Sequence, residues 1–465
     1  MDKRIEMQDY LRLFEEMEVE ENLFEKKLFG VYYWKLVRIY VFNNLAVVLG
    51  VMNSTHPNHT KGNKYSDLFN ILKIRKERNA LKLDHKSDVV VFRHQRRILV
   101  DGNYVEVNTE YLPCILPELK DKHVNYVETG IAFKNRNVDK NSSFLIINPF
   151  KSAICQFYYS LLSKCGTKKQ ELSNINSIIR KYFKIEYDVS PLIIRNVKGF
   201  KLTRTLSRKY FSKISPKIVY LVCSYGKEGI VESAHDLNLP IIEIQHGTIS
   251  HFHMGYSFPQ ESKVPYFPDE ILLYGEFWKK EASFPIPQSK LKVIGSPYSE
   301  LQISHYKEIK KEHNSVLFIS SGQYGKSLSH LATEYKKISP DSIVYYKLHP
   351  SEFGVWKDLY RELNEASERE EIKVVEDKIN LYELFARSEY LVGVNSTAIY
   401  ESFLLDVKVI LFEAVGIDNM MRMIQDYKVP LIKTSEELTR MVKNYPLDVK
   451  IDRDTVYHEI SIKQN

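Results

Sequence analysis

Ser315-Val316-Leu317-Phe318-Ile319 opens the passage that decides the fold. Four apolar runs of similar size follow it: Ile343-Val344-Tyr345-Tyr346-Lys347, Ile372-Lys373-Val374-Val375, Tyr390-Leu391-Val392-Gly393-Val394 and Lys408-Val409-Ile410-Leu411-Phe412. Between them, at 328–337, 355–366, 381–386 and 397–404, apolar residues recur at helical spacing. Strands this continuously apolar are buried on both faces, which is the situation in a parallel sheet covered by helices. Five of them alternating with helices within about 100 residues predict a doubly wound, Rossmann-like domain.

Working upstream, the same rhythm recurs. Strands are expected at 88–92, 217–223, 241–244, 270–274 and 293–294, with a helix at 227–236 and a mostly helical stretch from 151 to 215. The chain therefore reads as α/β, with two Rossmann-like doubly wound domains facing across a cleft. The expected division is an N-terminal helical segment and linker (1–85), a first Rossmann-like domain that takes the acceptor (86–305), a second that takes a nucleotide-sugar donor (306–430), and a helical tail (431–465). A lysine-rich helix at 300–312 reads as the connection between them. Ligands of such sheets bind outside the carboxyl ends of the strands, so the residues that leave those ends are the ones to weigh.

Bulk properties agree with a globular enzyme. The chain has 465 residues, 44% hydrophobic and 27% charged, more than one ordinary core can use. Its formal charge of +7 permits an anionic partner without demanding one. Cys114, Cys155, Cys165 and Cys223 are widely spaced and form no zinc or disulfide pattern, and Cys223 falls in an apolar run where a buried thiol is expected. Met1 to Glu21 is acidic and lacks the apolar core of a signal peptide, so a cytoplasmic location is expected. The apolar stretch 31–52 carries Lys35, Arg38, Asn43 and Asn44, which argues against a spanning helix. It reads as a packed helix or, through Tyr33, Trp34, Lys35 and Arg38, as a peripheral contact with the inner membrane. No basic stripe with interleaved aromatics suggests nucleic acid.

Four strand exits carry chemistry. Gln245-His246-Gly247 follows the strand at 241–244; Gly247 permits a sharp turn and His246 is suited to proton transfer. Lys347-Leu348-His349-Pro350 leaves the strand at 343–347, and its cations could hold a phosphate leaving group while Pro350 stiffens the loop. Asn395-Ser396-Thr397 precedes a helix containing Glu401, where hydroxyls and N–H groups could meet an anion, or simply cap the helix, and Glu401 could accept from a ribose hydroxyl. The loop from Ser320 to Ser327, with Ser321 and Gly322, could approach a phosphate closely; it nearly matches a P-loop, with Ser320 in the place of the first glycine. Arg93 and Arg96, beside His94 and Arg97, form a basic cluster that could grip an acidic acceptor or lie on a solvated turn. Asp452-Arg453-Asp454 matches a D-x-D metal motif but falls in the helical tail, so no metal site is assigned to it.

The order Gln245-His246-Gly247, Lys347-x-His349-Pro350, Ser396-Thr397 is similar to that of bacterial capsule and surface-polysaccharide glycosyltransferases of the GT-B fold. It also resembles the CDP-glycerol glycerophosphotransferases and the sialyltransferases and polysialyltransferases with a His-Pro motif. Tyr33 to Arg38, Asp101-Gly102-Asn103-Tyr104 and Gly255-Tyr256-Ser257-Phe258-Pro259 look like capsule-locus proteins as well. The resemblance implies a catalytic His246, a His349 that contacts the donor phosphate, and hydroxyls of Ser396 and Thr397 that bind it. It implies an inverting, metal-independent transfer from a nucleotide-activated donor to a polysaccharide or lipid-linked glycan, with no cofactor. The motif departs from both relatives: glutamine and histidine are adjacent here, and Val100-Asp101-Gly102 offers half of the acidic pair of the sialyltransferases. CMP- or CDP-linked donors are favoured over UDP- or GDP-linked ones. A nucleotide-sugar epimerase and a non-catalytic export subunit are the alternatives.

Overall fold

Val89–Phe92 (β1) is buried at every position, and a parallel strand pairs with each of its edges. The computed structural model describes residues 5–52, 78–83, 85–94, 97–100, 103–120, 122–129, 142–260, 262–449 and 451–460. Around β1 stand Val124–Thr129 (β2), Ser143–Leu145 (β3), Ile218–Val222 (β4), Ile241–Ile244 (β5), Glu270–Leu273 (β6) and Leu291–Val293 (β7). Their order is β7-β6-β5-β4-β1-β2-β3, and every pairing is parallel. The chain winds one way from β1 to β3 and then returns to start the other way at β4, so the topological switch lies between β1 and β4.

The second sheet contains Ser315–Ile319 (β8), Ile343–Lys347 (β9), Ile372–Val375 (β10), Tyr390–Gly393 (β11), Lys408–Phe412 (β12) and Leu431–Ile432 (β13). It is also wholly parallel, in the order β10-β9-β8-β11-β12-β13, with its switch between β8 and β11. Two doubly wound, Rossmann-like units are therefore present, as the alternation predicts. The boundary between them on the chain falls between Ile294 and Gly295. The helix expected as a connection is Pro297–Tyr306, started by Ser296 as its cap, and it belongs to the second unit. Tyr382 fastens it there through a 2.9 Å hydrogen bond to Ser299.

Three strands of the two sheets escaped the sequence reading for physical reasons. β2 carries Asn125 and Glu128 among its apolar residues, and Glu128 is paired in the interior with Arg97. β3 and β13 are only three and two residues long. The linker 53–65, Gln95, Arg96 and the turn Asp101-Gly102 lie outside the described residues. The strands flanking that turn, Ile98–Val100 and Asn103–Val105, do pair antiparallel.

The N-terminal segment contributes Met7–Glu20 (α1), a two-stranded hairpin and Trp34–Val48 (α2). Of the two readings of 31–52, the packed helix is the one realised. Tyr33, Trp34, Lys35 and Arg38 are all buried, so none of the four is presented to a membrane. No helix among the described residues is long and apolar enough to span one. Arg38 is fully buried because Glu18 is too: Nε and Nη2 each donate to one carboxylate oxygen at 2.8 Å. Trp34 Nε1 donates to the same carboxylate at 2.6 Å, and Arg38 Nη1 reaches Ser257 O at 2.8 Å. This bidentate geometry repays the cost of taking both charges out of water and ties α1 and α2 to the 254–258 loop. Replacing Arg38 with Leu strands Glu18 in the interior, and urea unfolding should show a loss of about 3–5 kcal/mol. A loss under about 1 kcal/mol would show that the pair is dispensable.

Candidate active site

At the carboxyl end of the first sheet, β4 and β5 deliver two loops whose side chains converge on His246. The Tyr225 hydroxyl lies 3.0 Å from Nε2 and the Tyr256 hydroxyl 3.3 Å from Nδ1. Tyr256 donates its own proton to Glu243 Oε1 at 2.6 Å, so the oxygen it turns to His246 is an acceptor. The network therefore requires a ring proton on Nδ1, and in the neutral ring Nε2 accepts the Tyr225 O–H. His94, just after β1, stacks loosely at 5.6 Å between ring centres. Loops from both sides of the β1/β4 switch thus meet at one histidine, where open α/β sheets place their ligands.

Glu243 anchors this arrangement. It sits within β5, is wholly buried, and its Oε1 also accepts the Ser224 N–H at 3.0 Å. Burial pushes its pKa up, opposed by those two hydrogen bonds and by the Lys35 charge. Lys35 is itself held down to about 8 by burial; its ammonium lies over the Phe258 ring at 4.9 Å and finds no hydrogen-bond partner among the described residues. Gly255 is required at its position, because a Cβ there would stand 2.5 Å from Cδ1 of the Tyr225 ring. Cys223 is buried and its thiol is pushed up to about 12, which makes it the inert residue its apolar surroundings suggest.

Two expected acceptor contacts are structural braces instead. Gln245 is buried: its Nε2 donates to Gly247 O at 2.9 Å and its Oε1 accepts the Tyr274 N–H at 2.8 Å, so it fixes the turn that follows β5. Arg93 is also buried, with Nη2 on Glu110 at 2.8 Å and its guanidinium 3.9 Å from the Tyr126 ring centre, so it does not reach out to an acceptor. Arg96 lies outside the described residues.

The second sheet has its own cluster at the carboxyl end. Glu352 is 2% exposed, and it collects the His349 N–H at 2.7 Å, the Ser320 hydroxyl at 2.9 Å and the Tyr360 hydroxyl at 2.5 Å. Burial raises its pKa against those donors. His349 is exposed at the loop tip; its Nδ1 lies 2.7 Å from the Ser351 hydroxyl and 3.2 Å from the Ser351 N–H. Gly322 and Ser351 bring the β8 and β9 loops together, a Cβ at Gly322 lying 3.2 Å from Ser351 Oγ. Across the β8/β11 switch, Tyr324 donates to Asn395 O at 3.0 Å. Ser321, Gly322, His349 and Asn395 are therefore on adjoining loops. Pro350 is exposed beside His349.

Other predicted phosphate ligands are differently occupied. Ser396 Oγ caps the short helix Thr397–Ser402 by accepting the Ala398 N–H at 3.2 Å, the ordinary role of such a residue; Thr397 is its first residue and Glu401 lies one turn in, half-buried. Lys347 is half-buried with its ammonium over the Phe353 ring at 5.3 Å, where burial lowers its pKa. The loop after β8 is not a P-loop: the N–H groups of Tyr324 and Gly325 donate to Ser321 O, and Ser320 is spent on Glu352. Asp452 caps the short tail helix by accepting the Asp454 N–H at 3.1 Å. Among the described residues, the His, Cys, Asp and Glu groups close enough to share an ion are His330, Glu334 and Glu362, on the surface of other helices.

No protein-family model matches the chain, and no curated protein does. Solved structures resemble it in chain path. The UDP-GlcNAc 2-epimerase of Methanocaldococcus jannaschii aligns over 80% of this chain and 95% of its own, with 12% identity and a TM-score of 0.45. MurG of Acinetobacter baumannii aligns over 78% and 90%, at 12% identity and 0.44. The α,α-trehalose-phosphate synthase (UDP-forming) of Burkholderia vietnamiensis aligns over 79% and 94%, at 12% and 0.40.

Behind the two tyrosines, His253 accepts the Gly255 N–H on Nδ1 at 3.1 Å. Burial lowers its pKa from 6.5 to about 4, and the charges of Lys35 and Arg38 add to the effect. Between those values the unfolded chain binds the proton and the folded one does not, so stability present above about pH 6.5 is lost as pH falls toward 4. Urea unfolding at about pH 7.5 and 4.5 should show that His253→Gln removes roughly 1–3 kcal/mol of this pH dependence. Equal pH dependence in both proteins would show that His253 titrates normally.

Proposed function

We propose that this chain is a glycosyltransferase that moves a sugar, or a polyol phosphate, from a nucleotide-activated donor to a surface-polysaccharide or lipid-linked glycan. The observation that carries the reading is His246: an imidazole at a strand exit beside the switch of a doubly wound sheet, its Nδ1–H held by the Tyr256–Glu243 pair and its Nε2 facing the Tyr225 hydroxyl. That is what a general base needs. The motif order described above favours sugar transfer over other uses of such a base.

For a sugar donor, the acceptor hydroxyl displaces the Tyr225 hydroxyl from Nε2 of His246 and gives that nitrogen its proton as its oxygen attacks the anomeric carbon from the face opposite the nucleotide. The bond from that carbon to the phosphate oxygen breaks, and the electron pair leaves with the nucleotide. Tyr256 and Glu243 steady the imidazolium that forms, since its Nδ1–H already has an acceptor. The donor phosphate is assigned to the second unit, to His349 and the loops carrying Ser321, Gly322 and Asn395. Protein N–H and O–H groups take the place of a metal ion in stabilising the leaving phosphate, with CMP- and CDP-linked substrates preferred.

Two variants separate the roles. His246→Ala should bind nucleotide normally by calorimetry and lose about 10²–10⁴-fold in transfer rate. His349→Ala should weaken nucleotide binding with the fold intact. Near-normal transfer by a well-folded His246→Ala protein would refute the base, and a sugar released without any acceptor would mark an epimerase. Transfer should also survive chelation of divalent cations; complete loss restored by added metal would overturn the metal-free route. CMP or CDP should raise the melting temperature more than UDP or GDP does.

A further inference from the structure

The helix Pro149–Leu162 buries no residue completely, yet it is one of the most apolar helices of the chain. Phe150, Ile154, Phe157, Tyr158 and Leu161 are 55–73% exposed, and their spacing puts them on a single face. The opposite side is the packed one: Lys198 donates to Ser152 at 3.1 Å, and the Tyr159 ring meets Phe29 at 4.9 Å between centres. Five large side chains displayed together in this way mark a contact surface rather than scattered exposure.

Charge identifies what the surface meets. Pro149–Leu162 contains one lysine and no acid, and its neighbour Ser190–Ile214 contains seven Lys and Arg and no acid. Those eight cations outweigh the formal charge of +7 of the entire chain. An apolar aromatic stripe beside a helix with only positive charges suits the boundary between anionic headgroups and acyl chains. A second copy of the chain fits badly, because a two-fold contact on this face would bring two wholly basic helices together. The stripe covers about three turns, long enough to lie in an interface and far too short to cross a bilayer.

We infer that Pro149–Leu162 is a membrane-interface helix that inserts Phe150, Ile154, Phe157, Tyr158 and Leu161 into an anionic lipid surface. The contact is thus located away from the buried Tyr33 to Arg38 stretch. It stands independently of the transfer reading, since lipid binding requires neither donor nor acceptor.

Flotation of the full chain with phosphatidylcholine vesicles, with and without about one-third phosphatidylglycerol, tests it. The protein should float with the anionic vesicles and at least about tenfold less with the neutral ones, and high salt should release most of it. Ile154→Glu with Phe157→Glu should abolish flotation without lowering the melting temperature. Lys151→Glu with Arg195→Glu should weaken it by about fivefold or more per charge. Phe157→Trp gives a readout that does not depend on those variants: its emission should shift to the blue on anionic vesicles only. No flotation of the wild type at low salt would overturn the proposal. So would unchanged flotation of the Glu variants, an unshifted emission from the Phe157→Trp protein, or a solution dimer that Ile154→Glu with Phe157→Glu dissolves.

Discussion

Each sheet of this protein ends on a glutamate that water scarcely reaches. Glu243 is fully buried and Glu352 nearly so, and neither has a cation in hydrogen-bond contact among the described residues. A carboxyl group in that position must be satisfied by neutral N–H and O–H donors or it costs several kcal/mol. The donors come from the segments that follow the strands: Ser224 and Tyr256, both to Oε1 of Glu243, whose Oε2 finds no partner among the described residues, and Ser320, His349 and Tyr360 for Glu352. The loops are therefore not free to choose their conformations. Glu243 Oε1 accepts from both of its donors whether the group is ionised or protonated, so the brace does not depend on the raised pKa. Gly325 shows how tightly the second cluster is drawn, for a Cβ there would collide with Glu352 and Tyr360 together.

The N-terminal segment follows the same rule with charges included. Arg38 and Lys35 within an apolar helix look like a reason to keep it at a surface. Both are buried instead, because α1 supplies Glu18 and because the 254–258 loop supplies carbonyls and an aromatic ring. Arg38 sits 20 residues from its carboxylate and 219 from the Ser257 carbonyl, so nothing within the helix's own pattern announces the partners. The same contact holds Tyr256 and its neighbours in place, which extends the support of His246 to the beginning of the chain.

What could be read from the sequence followed from local pattern. The strands from Ser315 to Phe412 were legible to within a residue because each is mainly apolar and too short to have another reading. β2 was hidden because a buried ion pair, Glu128 with Arg97, substitutes for apolar packing on part of it. At the sites, a histidine before a glycine at a strand exit was enough to single out His246. Its partners were not legible as partners, since Tyr225 and Tyr256 lie 21 and 10 residues away and only the fold brings them together. One signal was available: a glutamate in the middle of the apolar run Ile241–Ile244 had to be buried and therefore had to be bonded. Gln245 and Arg93 misled for the converse reason. Polar residues at strand exits suit a ligand, but they serve equally well to brace the loops that hold one.

The two strand-exit histidines carry the consequence furthest. They are the same side chain, each leaving a parallel strand, yet their neighbours hold them differently. At His246 the Tyr256 oxygen, already committed as a donor to Glu243, accepts from Nδ1–H, and Nε2 faces the Tyr225 hydroxyl at 3.0 Å. At His349 Nδ1 meets Ser351, whose hydroxyl lies at 2.7 Å and whose N–H lies at 3.2 Å; a hydroxyl can donate or accept, so this loop does not impose one tautomer. Tyr256 can switch only by abandoning Glu243, whose Oε2 already finds no partner among the described residues. The orientation of the His246 ring is thus set by the loops around it rather than by the residue type.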